Sequence, residues 1–348
     1  MIKLKKEVYK TSYLSPRNNF ELTDVYAEKR YDPLTGHRVR VYEINWYTKP
    51  VDFYSLGEKS QKRCPFCTGR LELYGARFAP SFCKEGHLKK NEVVLIPNIL
   101  PYAENAAVSI LTREHVVPMG KMEKKTVFDS IWLIFDYAKK VSKFQKKRYK
   151  FAHLHWNYMP TSGGSIIHPH MQVYVTDEPL NYHRRVLEKA KEFKEKNGSE
   201  FFQTYLNFEK KKRERVIQIL DRCALIAPFA SRGMLGEFMI IFKKAFSYSD
   251  ITGKDIDEIS SLIYNLMLFF ESKLIPGFNL AFYSSPVGED LMRAHIRIYP
   301  RVYRDTDTFA TDVETPTLLY GESFSLISPE KNAHDAREFI KNLVKTEK

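Results

Sequence analysis

One stretch of the chain combines residue types that can bind and transfer phosphate groups. It runs from the loop Gly163-Gly164-Ser165 to His168-Pro169-His170-Met171-Gln172. If a strand begins at His170, side chains alternate between its faces, so His170 and Gln172 share a face and apolar residues occupy the other. A glycine-containing loop beside that face can offer backbone N–H groups and a hydroxyl to a phosphate. The sequence therefore predicts a phosphate-handling site centred on an imidazole, against the plainer interpretation of a polar strand face.

A second candidate site is built on cysteine. Cys64 and Cys67 form a Cys-x-x-Cys in a chain that has only four cysteines and no apolar export signal behind its basic N-terminus. Such spacing indicates a metal or redox site in a reducing compartment rather than a disulfide framework. By spacing alone, Cys83 and His87 would complete a local Cys₃His zinc set with this pair.

The flanking segments predict the elements that must position these residues. Apolar side chains recur at helical spacing over 122–146, strands are predicted at 151–157 and 170–176, and a charged helical segment follows over 180–216. The second half repeats the order, with strands at 224–228 and 237–242, a helix at 253–273, strands at 279–284 and 294–300, and a closing helix at 329–344. The repetition indicates an internal duplication with halves at 1–180 and 181–348. The expected fold class is α+β, with antiparallel sheets flanked by helices.

Composition narrows the class of protein. With 348 residues, of which 43% are hydrophobic, the chain has ample material for a packed core, and intrinsic disorder is excluded as its main state. No apolar run reaches the length of a transmembrane helix, so no membrane partner is expected and the expected location is cytoplasmic. The net charge of +13 favours anionic partners. The basic runs 146–150 and 210–215 are typical of solvated helix ends, so nucleic acid is not the expected partner.

Several motifs together resemble the galactose-1-phosphate uridylyltransferase family, the transferase branch of the histidine-triad superfamily. The segment from Asn157 through His-Pro-His-x-Gln resembles its nucleophile motif. Three further segments resemble its N-terminal turn, its zinc knuckle and its Asn-Asp-Phe-Pro segment: Arg30-Tyr31-Asp32-Pro33-Leu34-Thr35-Gly36, Cys64-Pro65-Phe66-Cys67 and Asn98-Ile99-Leu100-Pro101. The resemblance covers most of the chain and implies a duplicated histidine-triad-like half-barrel, in agreement with the internal repeat.

The resemblance also implies a reaction. His170 would attack the α-phosphorus of a nucleotide sugar, and the covalent nucleotidyl-histidine would pass its nucleoside monophosphate, UMP in that family, to a sugar 1-phosphate. Gln172 would hydrogen-bond a phosphoryl oxygen in place of the third histidine of the related hydrolases. The nucleotide and its phosphates would be held by Asn98, His155, Asn157, Gly163, Gly164 and Ser165.

For the metal, the resemblance implies a ligand set different from the local one. A structural Zn²⁺ would be held by Cys64, Cys67, His115 and His168, which ties the knuckle to the backbone beside the nucleophile. A homodimer is also implied, since in that family the partner chain completes the site.

Departures from the family pattern keep other functions open. Ile99 stands where the family has an Asp that contacts the ribose, and Arg297 stands where it has a histidine of a second metal site. The sequence therefore supports nucleotidyl transfer as the reaction type better than it supports a role in galactose metabolism. The alternatives are a phosphorylase acting on a nucleotide sugar or a dinucleoside polyphosphate, and a non-catalytic nucleotide- or RNA-binding protein.

Overall fold

The structure, a computed structural model, describes residues 2–44 and 48–346. This part of the chain contains the predicted strands and helices of the two halves, together with elements that were not predicted. The strands are β1 (Lys5–Ser15), β2 (Glu21–Tyr31), β3 (Arg38–Val41), β4 (Leu88–Lys90), β5 (Val93–Pro97), β6 (Asn105–Ile110), β7 (Phe151–Tyr158), β8 (His170–Thr176), β9 (Val216–Ile219), β10 (Cys223–Ile226), β11 (Phe238–Phe242), β12 (Gly277–Tyr283), β13 (His295–Arg301), β14 (Tyr303–Asp305), β15 (Ala310–Thr311) and β16 (Ser323–Ser325). The α-helices are α1 (Phe53–Gln61), α2 (Arg70–Tyr74), α3 (Lys124–Phe144), α4 (Asn181–Asn197), α5 (Phe201–Lys212), α6 (Gly253–Ser272), α7 (Thr315–Leu319) and α8 (Pro329–Thr346).

A ten-stranded antiparallel sheet organises these elements. Its order is β4-β5-β6-β8-β7-β12-β13-β11-β10-β9. Five strands from the first half are followed by five from the second in mirrored order, and the halves join where β7 pairs with β12. The α+β class and the duplicated half-barrel are confirmed. The division of the chain at residue 180 stays a prediction.

Helices cover the two faces of this sheet unequally. α3 and α6 pack on one face, where Met171 and Val173 of β8 join the main apolar core. On the opposite face, α4 and α5 cover the second half and bury Met239 and Ile241 of β11. The same face of the first half carries the polar side of β8, where Gln172 and Tyr174 are half-buried.

The N-terminal segment forms a separate four-stranded sheet. Its order is β1-β2-β3-β16, in which β1 and β2 form a long antiparallel hairpin and β16 pairs with β3 in parallel. Val8 and Leu14 of β1 and Leu22 and Tyr26 of β2 are all exposed. No helix in the described part of the chain is long and apolar enough to cross a membrane.

Candidate active site and metal centre

Strand register brings the predicted site residues onto one face of the sheet. β8 begins at His170, as the alternation of polar and apolar residues predicts, and His155 of β7 lies opposite Gln172. Residues directly opposed in an antiparallel pair share a face, so His155 and Gln172 are neighbours on it. Asn157 follows two residues after His155, so the pleat directs it to the same face.

His170 is held in the form that a nucleophile needs. Its side chain is 7% exposed, and its Nδ1 lies 2.7 Å from the main-chain oxygen of His168. Because a carbonyl only accepts, Nδ1 carries the proton and the lone pair of the neutral ring is on Nε2. Burial lowers the pKa of His170, and the hydrogen bond to His168 opposes this only in part. The ring is therefore neutral at pH 7 and its Nε2 can attack an electrophile.

Two aromatic contacts orient the rings around the nucleophile. Phe66, inside the Cys-x-x-Cys, packs edge-on against His170 with ring centroids 5.2 Å apart. His155 packs against Tyr174 at 4.6 Å, and its Nδ1 lies 3.1 Å from the main-chain oxygen of His153. Phe66 was not predicted as a site residue. Its position between two candidate metal ligands could have indicated that it lies near the site.

The glycine-containing loop connects β7 to β8. A 3₁₀ turn over Pro160–Ser162 precedes Gly163, whose φ of 85° is in the left-handed region that favours glycine. Gly164 packs so closely on Asn157 that a Cβ there would lie 3.3 Å from the Asn157 main-chain oxygen. Ser165 is exposed beside them. The loop and Asn157 are thus brought together, and backbone N–H groups and a hydroxyl are near the His170 face.

Asn98 lies farther along the same face. It continues the pairing of β5 with β6, since its N–H donates to the Ala106 carbonyl at 2.9 Å, and Ala106 lies opposite Tyr174. Its side-chain oxygen accepts from the Leu100 N–H at 3.0 Å. This Asx turn leaves the Asn98 NH₂ group as a donor at the edge of the site.

The second half supplies a residue on which the loop depends. A Cβ on Gly277, the first residue of β12, would lie 2.2 Å from Thr161 Oγ1 and 2.5 Å from the Tyr158 main-chain oxygen. We expect Gly277→Ala to displace the 3₁₀ turn, destabilise the fold by about 1–3 kcal/mol and weaken nucleotide binding. Denaturant unfolding and nucleotide titration test this. The control is Gly253→Ala at the start of α6, where a Cβ meets no atom within 4 Å. Equal unfolding free energies for the two variants would contradict the expectation.

Four side chains gather beside His170 in a geometry suited to a metal ion. The ligand atoms of Cys64, Cys67, His115 and His168 all lie within 4.8 Å of one another. Cys67 Sγ is 3.4 Å from His115 Nδ1 and 3.7 Å from His168 Nδ1, and Cys64 Sγ is 3.8 Å from His168 Nδ1. Tetrahedral zinc with ordinary bond lengths separates its ligands by roughly 3.5 Å. The cluster could therefore hold a metal ion with every position filled, which is typical of a structural site.

The surroundings of the cluster fit a cation. His168 Nε2 donates to the Thr112 carbonyl at 2.8 Å and His115 Nε2 lies 2.9 Å from Ser60 Oγ, so both Nδ1 lone pairs face the sulfurs. Burial lowers the pKa of His168 to about 4 and keeps that ring neutral, as a ligand must be. Burial and the neighbouring Cys64 raise the pKa of Cys67 to about 11. Two adjacent thiolates would therefore form here only with a compensating positive charge, which a bound metal ion could supply.

The alternative ligands predicted from spacing lie elsewhere. Cys83 Sγ contacts the main-chain oxygen of His87 at 3.1 Å and Glu85 Oε2 at 3.4 Å. Its side chain packs on the main apolar core, and neither Cys83 nor His87 belongs to the four-residue cluster. The geometry thus favours the ligand set implied by the resemblance over the local one.

The strand of the second half that corresponds to β8 is covered by a helix. His295 of β13 matches His170 and its Nδ1 is similarly placed, 3.2 Å from the Arg293 main-chain oxygen. Its ring, however, is fully buried and stacked between Phe202 of α5 at 4.0 Å and Tyr283 at 5.1 Å. α5 covers this position of β13, so His295 cannot reach a substrate.

Two known proteins are similar to this chain in sequence. No protein-family profile matches the chain. An uncharacterized protein from Archaeoglobus fulgidus is 30% identical over 317 residues, 91% of this chain and 93% of that protein. A galactose-1-phosphate uridylyltransferase from Kluyveromyces lactis is 20% identical over 210 residues, which is 58% of this chain and 57% of that protein.

Two solved structures share the fold over nearly all of the chain. A galt-like protein from Arabidopsis thaliana superimposes with a TM-score of 0.66 at 18% identity, covering 89% of this chain and 98% of that one. An ADP-glucose phosphorylase from Arabidopsis thaliana, with bound ADP-glucose, gives a TM-score of 0.66 at 18% identity, covering 90% and 99%. The chain therefore belongs to one family with the Archaeoglobus protein, and it shares its fold with the galt-like protein and the ADP-glucose phosphorylase.

Proposed function

We propose that this protein is a nucleotidyltransferase that moves a nucleoside monophosphate through a covalent intermediate on His170. The observation that carries the proposal is the buried, neutral imidazole whose Nδ1–H is held by the His168 carbonyl, with Gln172 beside it on an accessible strand face. A lone pair fixed on Nε2 suits in-line attack on phosphorus. UMP and a UDP-sugar are the first candidates, because the K. lactis relative is a galactose-1-phosphate uridylyltransferase.

The two steps balance without an outside reagent. In the first step, Nε2 of His170 forms a bond to the α-phosphorus, the bond from that phosphorus to the bridging oxygen breaks, and a sugar 1-phosphate leaves. In the second step, a phosphate oxygen of the acceptor forms a bond to the same phosphorus, and the P–N bond returns its electron pair to His170. Gln172 has an NH₂ donor but no titratable proton, so it can bind a phosphoryl oxygen without activating water.

The other residues of the face have matching roles in this proposal. Asn157, Gly163, Gly164 and Ser165 would donate hydrogen bonds to the phosphates, since backbone N–H, amide and hydroxyl donors suit phosphate oxygens. Asn98 and His155 would contact the nucleoside. The proposed zinc is structural: it would hold Cys64, Cys67, His115 and His168, and with them Phe66, against the nucleophile strand.

The direct test of the proposal is intact-protein mass spectrometry at neutral to mildly basic pH, because a phosphoramidate on histidine is acid-labile. The protein is mixed with a panel of nucleotide sugars that includes UDP-glucose, UDP-galactose and ADP-glucose, and no acceptor is added. We expect a mass gain of one nucleoside monophosphate, and the donor that gives it identifies the nucleotide. A protein that keeps its metal but forms no adduct with any donor would contradict the proposal.

A phosphorylase is the second candidate, because the chain shares its fold with an ADP-glucose phosphorylase. The acceptor separates the two reactions. We expect the nucleotidylated protein to be discharged at least about tenfold faster by hexose 1-phosphates than by inorganic phosphate, since contacts with the sugar add binding energy at the reacting centre. Loss of the adduct over time, followed by mass spectrometry, measures both rates. Faster discharge by inorganic phosphate would assign the phosphorylase instead.

A homodimer is part of the proposal. It is supported by the exposed, directly opposed pair Leu14 and Leu22 of the β1–β2 hairpin, since exposed apolar surface can mark a protein interface. Light scattering during size-exclusion chromatography should give twice the chain mass. Replacing Leu14 and Leu22, which lie opposite each other in the hairpin, with serine should shift the protein towards the monomer. A monomeric wild-type protein would contradict this expectation.

A further inference from the structure

We propose that Asn279, contributed by the second half of the chain, is a positioning residue that sets the amide orientation of Asn157 at the active site. The inference rests on the proposed function, because it concerns how Asn157 meets a phosphate. Asn279 lies on β12 directly opposite Asn157 on β7, at the seam where the two halves of the sheet join.

Asn279 contacts both phosphate-binding elements of the first half. Its Nδ2 donates to Asn157 Oδ1 at 2.6 Å and to the Ser162 main-chain oxygen at 2.9 Å. Ser162 immediately precedes Gly163, so the second hydrogen bond holds the start of the glycine-containing loop. One side chain therefore links Asn157 and the loop to a strand of the other half.

The chemistry of the neighbouring groups fixes which way the Asn279 amide points. Arg301 Nη1 contacts Asn279 Oδ1, and a guanidinium can only donate, so the atom facing it must be the amide oxygen. The NH₂ of Asn279 must then face Asn157. Arg301 is itself held by Asp312, whose carboxylate oxygens lie 2.8 and 2.9 Å from Arg301 Nε.

This chain of contacts has a consequence for Asn157. Because its Oδ1 accepts from Asn279, its NH₂ group occupies the other branch of the amide and is available as a donor. Phosphate oxygens only accept, so the useful orientation of Asn157 is the one that Asn279 enforces. Without Asn279, rotation about χ2 would place an oxygen in that position in part of the molecules, and this oxygen would repel the phosphate.

Single-turnover adduct formation tests the proposal, with the donor that nucleotidylates the wild-type protein, over a range of donor concentrations. We expect Asn157→Ala to lower the maximal rate about 100-fold, as when one preorganised phosphate donor is lost. Asn279→Ala should lower it about tenfold. Asn279→Asp should lower it more than Asn279→Ala, because the carboxylate still pairs with Arg301 but forces Asn157 to turn its NH₂ group away from the substrate.

The double variant separates positioning from general support of the fold. If Asn279 acts through Asn157, adding Asn279→Ala to Asn157→Ala should change the rate by less than about threefold. Asn265→Ala, on the opposite face of the sheet in α6, is the control for removing a half-buried amide and should keep the wild-type rate. Melting temperatures of all variants are measured in parallel.

The outcomes are distinct. Rate losses that multiply in the double variant, or an Asn279→Asp variant at least as active as Asn279→Ala, would overturn the positioning role while leaving the proposed function intact. A wild-type protein that forms no adduct overturns the proposed function, and the positioning role in that reaction with it. Sub-multiplicative losses with the rate order Asn, Ala, Asp at position 279 support the proposal.

Discussion

Replacing His170 with alanine is expected to abolish the covalent nucleotidyl adduct. His170 is the imidazole at the start of β8, after the glycine-containing loop, whereas the matching His295 of the other half is covered by Phe202. Loss of a catalytic nucleophile commonly lowers turnover by a factor of about 10⁴ or more. Intact-protein mass spectrometry at neutral pH, under conditions that label the wild-type protein, measures the effect.

His295→Ala makes the same substitution at the matching position of β13 and serves as the control. This variant should keep the adduct while losing on the order of 2–4 kcal/mol of unfolding free energy, because a fully buried ring is removed from a stacked environment. Labelling is therefore compared below the melting temperature of both variants. Persistent labelling of His170→Ala would show that another residue is the nucleophile.

Cys64→Ser is expected to abolish metal binding. Wild-type protein should bind about one zinc per chain, and the variant should lose it, since a hydroxyl at that position is a poor substitute for a buried thiolate. The loss of affinity should exceed the roughly 10–100-fold that follows removal of an outer-shell partner. The melting temperature should fall as well, because α1, the knuckle and β8 are then no longer tied together. Elemental analysis of the purified protein and thermal unfolding measure both effects.

Cys83→Ser is the matched control for the metal. Its sulfur contacts the His87 carbonyl rather than the cluster, so this variant should retain zinc. The ligand set is wrong if Cys83→Ser loses zinc while His115→Ala retains it.

Nucleotidylation of Cys64→Ser tests whether the metal site supports His170. The main-chain oxygen of His168 fixes the His170 proton, so we expect a metal-depleted variant to be labelled more slowly.

The strands and helices whose apolar residues recur with a clear period were predictable from sequence. β8 begins and ends where the alternation from His170 to Thr176 predicts, and α3 and α6 match their apolar spacing to within a few residues. The β1–β2 hairpin was not predicted. β1 is exposed on nearly every residue and β2 over most of its first half, so neither strand has a continuous buried apolar face that would give a period-two signal.

The site was predictable where its residues are near in sequence or follow a recognisable motif. The imidazole, the amide and the loop lie within ten residues of one another, and strand geometry brings them to one face. Asn279 and Arg301 were missed because their contacts depend on the register between strands of different halves, with Asn279 122 residues from Asn157. The spacing of Cys83 and His87 suggested ligands, but the Cys83 side chain packs on the core and contacts the main-chain oxygen of His87 instead.

The seam between β7 and β12 has a consequence for folding cooperativity. The hydrogen-bonded ladder and the main apolar core both continue from one repeat into the other, with residues of α3 and α6 in a single cluster. Neither repeat can open at this seam without exposing backbone groups and apolar surface of the other. Amides of β7, β8, β12 and β13 should therefore exchange with solvent deuterium through one shared opening event, and the second repeat would limit how often the first one unfolds.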